Sequence, residues 1–181
     1  MKSIKQKDEG FTGLEAAIVL IAFVIVAAVF SYVVLGAGFF ATQKAQETVY
    51  RGVEQGTSNL QMIGNVYGTG DGGNINNLTF YIGLAPGAPS LDLTSMKIVV
   101  TKPGSATITQ LTQSLAVYDG STFKCTSNTL SGATQQTVTI KIPGSLAANG
   151  KVNIQISPSV GASLPFTRTA PATITSSQIL Y

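Results

Sequence analysis

The chain has 181 residues, only 10% of them charged, and a formal net charge of +3. Its basic residues are too few and too scattered to build the cationic stripe of a nucleic-acid-binding surface. There is no histidine, no tryptophan and one cysteine, Cys125, which excludes the commonest general base, an intrachain disulfide and a Cys-x-x-Cys metal pair.

The first segment, MKSIKQKDEG (1–10), is short and polar and carries Lys2, Lys5 and Lys7. An apolar run follows from Phe11 to about Ala41, with no proline and no charged residue between Glu15 and Lys44. Spanning a bilayer takes about 20 apolar residues, so this run is long enough. Lysines on its short N-terminal side hold that end in the cytoplasm and place the remainder of the chain outside. A secretory signal has an apolar stretch of about 7–15 residues followed by a small-residue cleavage site. This run is longer, and no such site follows it. Glu15 is the anomaly: an unpaired carboxylate in lipid or in a protein core is costly, although a helix N-terminus favours one.

From Thr42 to Ile63 the pattern turns amphipathic. Ala45, Val49, Val53, Gly56, Leu60 and Ile63 recur at helical spacing on one face. Lys44, Glu47, Arg51 and Glu54 fall on another, with Glu47 and Arg51 in the favourable i,i+4 order. Residues 11–64 therefore predict one helix of about 50 residues, roughly 75 Å long at 1.5 Å per residue. Its all-round apolar half needs lipid or further copies of itself as cover. Ala16, Ala17, Ala22, Ala27 and Ala28 permit close helix approach. Phe23, Phe30, Tyr32, Phe39 and Phe40 read as packing residues of such a bundle.

After the glycine-rich break YGTGDGGN (67–74), residues 75–181 are rich in Thr, Ser, Val and Ile and alternate with period two. In TVTIKI (137–142), Val138, Ile140 and Ile142 share one face, and KVNIQIS (151–157) repeats this with Val152, Ile154 and Ile156. The turn-rich PGSLAANG (143–150) between them predicts a hairpin. LTFYIGL (78–84), MKIVVT (96–101), LAVYD (115–119) and ATITSSQIL (172–180) are further strand candidates, and APGAPS (85–90) is a loop. Short strands with Gly/Pro/Ser turns predict an antiparallel, Ig-like β-sandwich. The fold class is α+β: a long N-terminal hydrophobic helix followed by that sandwich.

No constellation carries catalysis, and no cofactor motif is present. Asp71, Asp92 and Asp119 sit singly in glycine- or serine-rich turns, the setting of Asx-turns. TGDGG (69–73) lacks the acidic repeat and closing glutamate of a calcium loop, so no metal is expected. Cys125 is either a small semi-buried residue of the β-domain or a point of intermolecular crosslinking. Asn77-Leu78-Thr79 is a sequon and makes Asn77 a candidate N-glycosylation site in a chain placed outside the cytoplasm.

Together these features form a recognisable arrangement: a basic leader ending in Gly10, then Phe11, then an apolar helix with glutamate five positions in. It resembles the class III signal peptides of type IV pilin-like proteins. Within that superfamily FTGLEAAIVLIAFVIVAAVFSYVVLGAGFFATQKAQETV (11–49) is most similar to the archaellins, the archaeal flagellins, above all in GLEAAIVLIAFV and ATQKAQE. Archaellin leaders often carry basic residues just before the glycine, where this chain has Asp8 and Glu9. The resemblance implies a membrane-inserted precursor cut between Gly10 and Phe11 by a prepilin-peptidase-like membrane protease. It also implies a helical homopolymer, or one with paralogous archaellins, assembled by an ATPase and a membrane platform into a motility filament on the cell surface. In the superfamily the glutamate at this position acts in assembly. Applied here, Glu15 would meet the α-amino group on Phe11 of a neighbouring subunit and set the axial register. An adhesion pilin or pseudopilin, and a solitary membrane-anchored binding domain, are the competing readings; the last predicts an uncleaved N-terminus and no polymer.

Overall fold

The computed structural model describes residues 3–105, 108–116 and 118–181, with side chains from residue 13 onward. The chain forms two compact units, one ending at Tyr50 and one spanning Arg51–Tyr181.

Helix α1 runs from Ser3 to Thr57, 55 residues without a break. No proline interrupts it, and its threonines return their hydroxyls to the preceding turn: Thr42 to Gly38 O at 2.9 Å and Thr48 to Lys44 O at 2.9 Å. The helical stripe extrapolated through Leu60 and Ile63 is not followed; the helix stops at Thr57. Thr57, Ser58 and Asn59 take the last carbonyls, with Thr57 Oγ1 on Val53 O at 2.8 Å, Ser58 N on Glu54 O at 2.9 Å and Asn59 Nδ2 on Gly56 O at 3.3 Å. Leu60 then enters the β-core, 5% exposed. Its burial there outweighs another turn of helix in water.

The β-domain therefore begins earlier than the glycine-rich break. Its strands are β1 (Leu60–Gly70), β2 (Asn74–Leu84), β3 (Leu91–Asp92), β4 (Lys97–Thr101), β5 (Ile108–Ser114), β6 (Thr122–Cys125), β7 (Thr129–Leu130), β8 (Gln135–Ala147), β9 (Lys151–Ser157), β10 (Leu164–Thr169) and β11 (Ser177–Leu180). Residues 67–74 are the end of β1, a tight turn and the start of β2. Nine strands form one sheet in the order β10-β9-β4-β5-β6-β8-β2-β1-β11, and β3 pairs with β7. Every pairing is antiparallel except β5 with β6. At the two ends of that order, Thr169 on β10 and Tyr181, just past β11, exchange backbone bonds of 2.6 and 3.2 Å. The sheet is thus rolled around a single core that includes Phe80, Phe123, Ile140 and Ile154. Phe166 packs edge-on to Phe80, ring centroids 5.5 Å apart.

Three strand expectations change; of ATITSSQIL (172–180), only Ser177–Leu180 forms a strand. The hairpin predicted across 143–150 does not exist: β8 lies between β6 and β2, and β9 between β10 and β4. Strand β8 continues through Pro143 to Ala147, and Val138, Ile140, Ile142, Val152, Ile154 and Ile156 all reach the same core from distant parts of the sheet. The kink in β8 has consecutive left-handed residues, Gly144 (φ 65) and Ser145 (φ 49), whose carbonyls both accept from Lys102 Nζ at 2.9 and 2.8 Å. Residue 117 of the strand expected at LAVYD (115–119) lies outside the described residues and the other four carry no strand; the strand in this region is Ile108–Ser114. Asp119 instead accepts the backbone N–H groups of Ser121 and Thr122 and shapes the turn that leads into β6.

Candidate assembly surface

Between Gly13 and Ala41 the helix exposes large apolar side chains around its whole circumference. Leu14, Ile18, Val19, Phe23, Val26 and Phe30 are each 58–74% exposed. Residues 13–57 form a helix long and apolar enough, by length and composition, to cross a membrane. A helix apolar on every side is stable only when covered, by lipid or by other helices. Gly13, Gly36, Gly38, Gly52 and Gly56 each have open space where a side chain would stand, so a partner backbone has room to come close.

Glu15 is exposed on this surface, among Ala16, Val19, Leu20 and Phe23. Among the described residues it has no ion-pair partner. The Gly10–Phe11 bond lies within the helical backbone of α1, while the side chain of Phe11 falls outside the described side chains. Further along, Lys44 Nζ donates to Glu47 Oε2 at 2.8 Å with both groups in water. Such an exposed pair contributes about 0.3–0.5 kcal/mol, consistent with a solvated face.

The turn aspartates behave as local caps. Asp119 Oδ1 accepts from Ser121 N (2.8 Å), Ser121 Oγ (2.8 Å), Thr122 N (3.0 Å) and Thr122 Oγ1 (3.1 Å). The bonds from Ser121, backbone first, and from Thr122 hold its carboxyl at about 2. Thr94, through its backbone N–H and its hydroxyl, likewise holds Asp92 below the usual carboxylate range. Asn76 Nδ2 donates to Asp71. Among the described residues no three carboxylate or thiol side chains gather into a metal-holding group. Cys125 is 1% exposed, and burial pushes its thiol up to about 12, so it is a core residue and not a crosslinking one. Asn77 is half-buried on β2, opposite Thr69 on β1 and Lys141 on β8.

The chain is thus a continuous helix with an uncovered apolar surface, followed by a rolled, mostly antiparallel β-domain. The chain matches the archaeal-type flagellin family over residues 10–168. It is 38% identical to a probable flagellin of Archaeoglobus fulgidus, over 97% of this chain and 96% of that one. Over 32 residues, the whole of that sequence and 18% of this chain, it is 91% identical to a 24 kDa flagellin of Methanospirillum hungatei. The solved archaeal flagellum of Methanospirillum hungatei superposes with a TM-score of 0.78 at 42% identity, covering 93% of this chain and 99% of that subunit. The protein belongs to the archaeal flagellin family and is a structural subunit of the archaellum, the motility filament on the archaeal cell surface, not an enzyme.

The outer face of β1, β2 and β11, where Tyr67, Tyr81 and Ile179 are each 36–39% exposed, forms only when these strands pair. Its one legible signal was the absence of any charged residue in 60–70, 74–84 and 177–180.

Proposed function

We propose that the chain is made as a membrane-inserted precursor, freed of residues 1–10 by a prepilin-peptidase-like membrane protease, and that it is a major subunit polymerising through its N-terminal helix. The observation that carries this is the apolar circumference of the helix, in which Glu15 is the one charged side chain among the described residues 13–41. Cleavage between Gly10 and Phe11 creates an α-amino group on Phe11. In the filament Glu15 pairs with that group on the neighbouring subunit. Left unpaired in an apolar core, the carboxylate would cost several kcal/mol or take up a proton. Pairing makes one axial register better than its neighbours. The helical backbone across Gly10–Phe11 must open locally for the protease to reach the bond.

An assembly ATPase with a membrane platform extracts the cleaved subunit from the bilayer into the filament. Because lipid is as apolar as the helix, close packing at the small residues supplies much of the association energy. The contact is head-to-tail and non-closing, so it yields a fibre. Asn77 is a candidate glycan acceptor, and its half-exposed side chain on the outer face supports that reading.

Sequencing the N-terminus of subunits from purified filaments tests the processing step: Phe11 is expected, and Met1 would overturn it. Glu15→Gln tests the pairing, since normal processing with normal assembly would exclude the register role. Non-motile cells bearing intact filaments would move the assignment to an adhesion pilus.

A further inference from the structure

Strand β2 holds the sequon Asn77-Leu78-Thr79 in the interior of the sheet, paired on both sides. Asn77, Leu78 and Thr79 stand opposite Thr69, Gly68 and Tyr67 on β1 and opposite Lys141, Ile140 and Thr139 on β8. Leu78 is fully buried, so Asn77 and Thr79 both turn to the outer face. Each is half-buried among its neighbours, and Thr79 Oγ1 lies 3.4 Å from Thr139 Oγ1.

This placement has two opposite consequences. A glycan already on Asn77 leaves the β-domain outward, so folding accommodates it. A transferase, by contrast, has no way in. In the transfer, Asn77 Nδ2 bonds to the anomeric carbon of a sugar carried on a lipid phosphate. The bond from that carbon to the phosphate oxygen breaks, the phosphate keeps the electron pair, and Nδ2 gives up one proton to a base. The nitrogen lone pair of an amide is delocalised into its carbonyl, so the group reacts only when a pocket encloses and twists it. The same enzyme must read the hydroxyl of Thr79 two residues on. Cross-strand neighbours stand about 4.5–5.5 Å apart between Cβ atoms, so Thr69 and Lys141 leave no room for a pocket wall on either side of Asn77. No backbone edge is free either, since β2 lies between β1 and β8.

We propose that Asn77 is an acceptor only while the β-domain is unfolded: the lipid-linked sugar is transferred to the extended chain as it emerges outside the membrane, and folding then closes the site. The inference rests on reading Asn77 as a glycan acceptor and adds the point at which that step occurs. Strands of a core open only with the whole domain, and β2 is such a strand, with Leu78, Phe80 and Ile82 all fully buried. A chain that folds unmodified therefore stays unmodified, and occupancy at Asn77 records the competition between transfer and folding. Asn149 is the contrast. It is exposed in the turn between β8 and β9 and lacks only the hydroxyl two residues on, where Lys151 stands.

Lys151→Thr completes a sequon on Asn149 and gives each chain its own control. Unglycosylated full-length Lys151→Thr subunits in detergent are incubated with the transferase and its lipid-linked oligosaccharide, and occupancy at both sites is read by mass spectrometry. In the folded chain Asn149 is expected to be modified at least about tenfold faster than Asn77. Adding Phe123→Asp forces a charge into the core and unfolds the β-domain, which should bring the two rates within about threefold of each other. Modification of Asn77 in the folded chain as fast as Asn149 overturns the proposal. Asn77 left bare in the Phe123→Asp chain, with Asn149 modified, refutes instead the acceptor reading beneath it. A pulse–chase in producing cells gives a second readout: Asn77 occupancy is expected to be fixed by the end of the pulse, and a rise during the chase, on chains already folded, overturns the proposal.

Discussion

A methyl group on Gly161 has nowhere to go. Built on the existing backbone, the Cβ of Gly161→Ala would lie 1.7 Å from the carbonyl oxygen of Ser58 and 2.8 Å from its carbonyl carbon. The residue also has φ +104, in a region that alanine enters only under strain. The obstructing atoms are backbone, and they are held. Ser58 is 2% exposed with its N–H on Glu54 O at 2.9 Å, and the next carbonyl, Asn59 O, accepts from Ala85 N at 3.1 Å. Relief requires moving either this segment or the β9–β10 loop. Strain from the dihedral alone is about 1–3 kcal/mol, and the displaced contacts raise the total to about 3 kcal/mol or more. For a domain of this size that lowers the unfolding midpoint by roughly 10 °C. Thermal unfolding of detergent-solubilised full-length subunits, followed by near-UV circular dichroism, reads the shift. Gly120→Ala is the control, because a Cβ there meets nothing within 4 Å. A Gly161→Ala midpoint within about 2 °C of wild type would refute the reasoning.

Asp119 ties the loop before β6 to pH. Its folded carboxyl titrates at about 2, below the ordinary 3.8, so its stabilisation is complete above about pH 4 and is lost as pH falls through about 2. Asp119→Asn should therefore flatten the acid limb of a midpoint-versus-pH curve between about pH 2 and 4; an unchanged acid limb would contradict the hydrogen-bond assignment. Phe80 is fully buried in the β-core, and Phe80→Ala should cost about 3–5 kcal/mol by chemical denaturation. Phe23, 74% exposed on the helix, is the contrast: Phe23→Ala should leave β-domain unfolding within about 0.5 kcal/mol of wild type and weaken the filament instead. Cys125 should resist alkylation at pH 8 in the folded subunit and react once the β-domain is unfolded, since burial raises its thiol to about 12; mass spectrometry of iodoacetamide-treated protein reports this directly.

Much of the N-terminal helix was legible because its determinants are local. An uninterrupted apolar run without proline or charge has few conformations that satisfy its backbone, and helix is the one that survives in lipid or in a bundle. Glu15 stood out for the same reason, as the one carboxylate inside that run. The Asx-turns at Asp92 and Asp119 were readable too, since they join groups two or three residues apart. The end of the helix was less so. Spacing alone carried the stripe to Ile63, but the competing demand came from the β-core that buries Leu60, and nothing near Leu60 in sequence reveals that core.

For the β-domain, alternation in TVTIKI and KVNIQIS determined which side chains face inward, and that holds in the structure. It could not determine strand neighbours. Every half-buried strand presents the same period of two, so side-chain polarity alone permits β8 beside β9 as readily as β8 beside β2. Their separation in the sheet was decided by the rolled core and by the kink that Lys102 holds at Gly144 and Ser145. The approach of Gly161 to Ser58, and the meeting of Ile179, Tyr67 and Tyr81 on one uncharged face, likewise exist only once distant strands are paired. The sequence by itself thus determined the long N-terminal helix, the glutamate inside its apolar run and the inward faces of the strands, because local periodicity and polarity carry that information. Strand order, the close junction after the helix and the meeting of Ile179, Tyr67 and Tyr81 were decided by tertiary packing, because they depend on contacts between residues far apart in the chain.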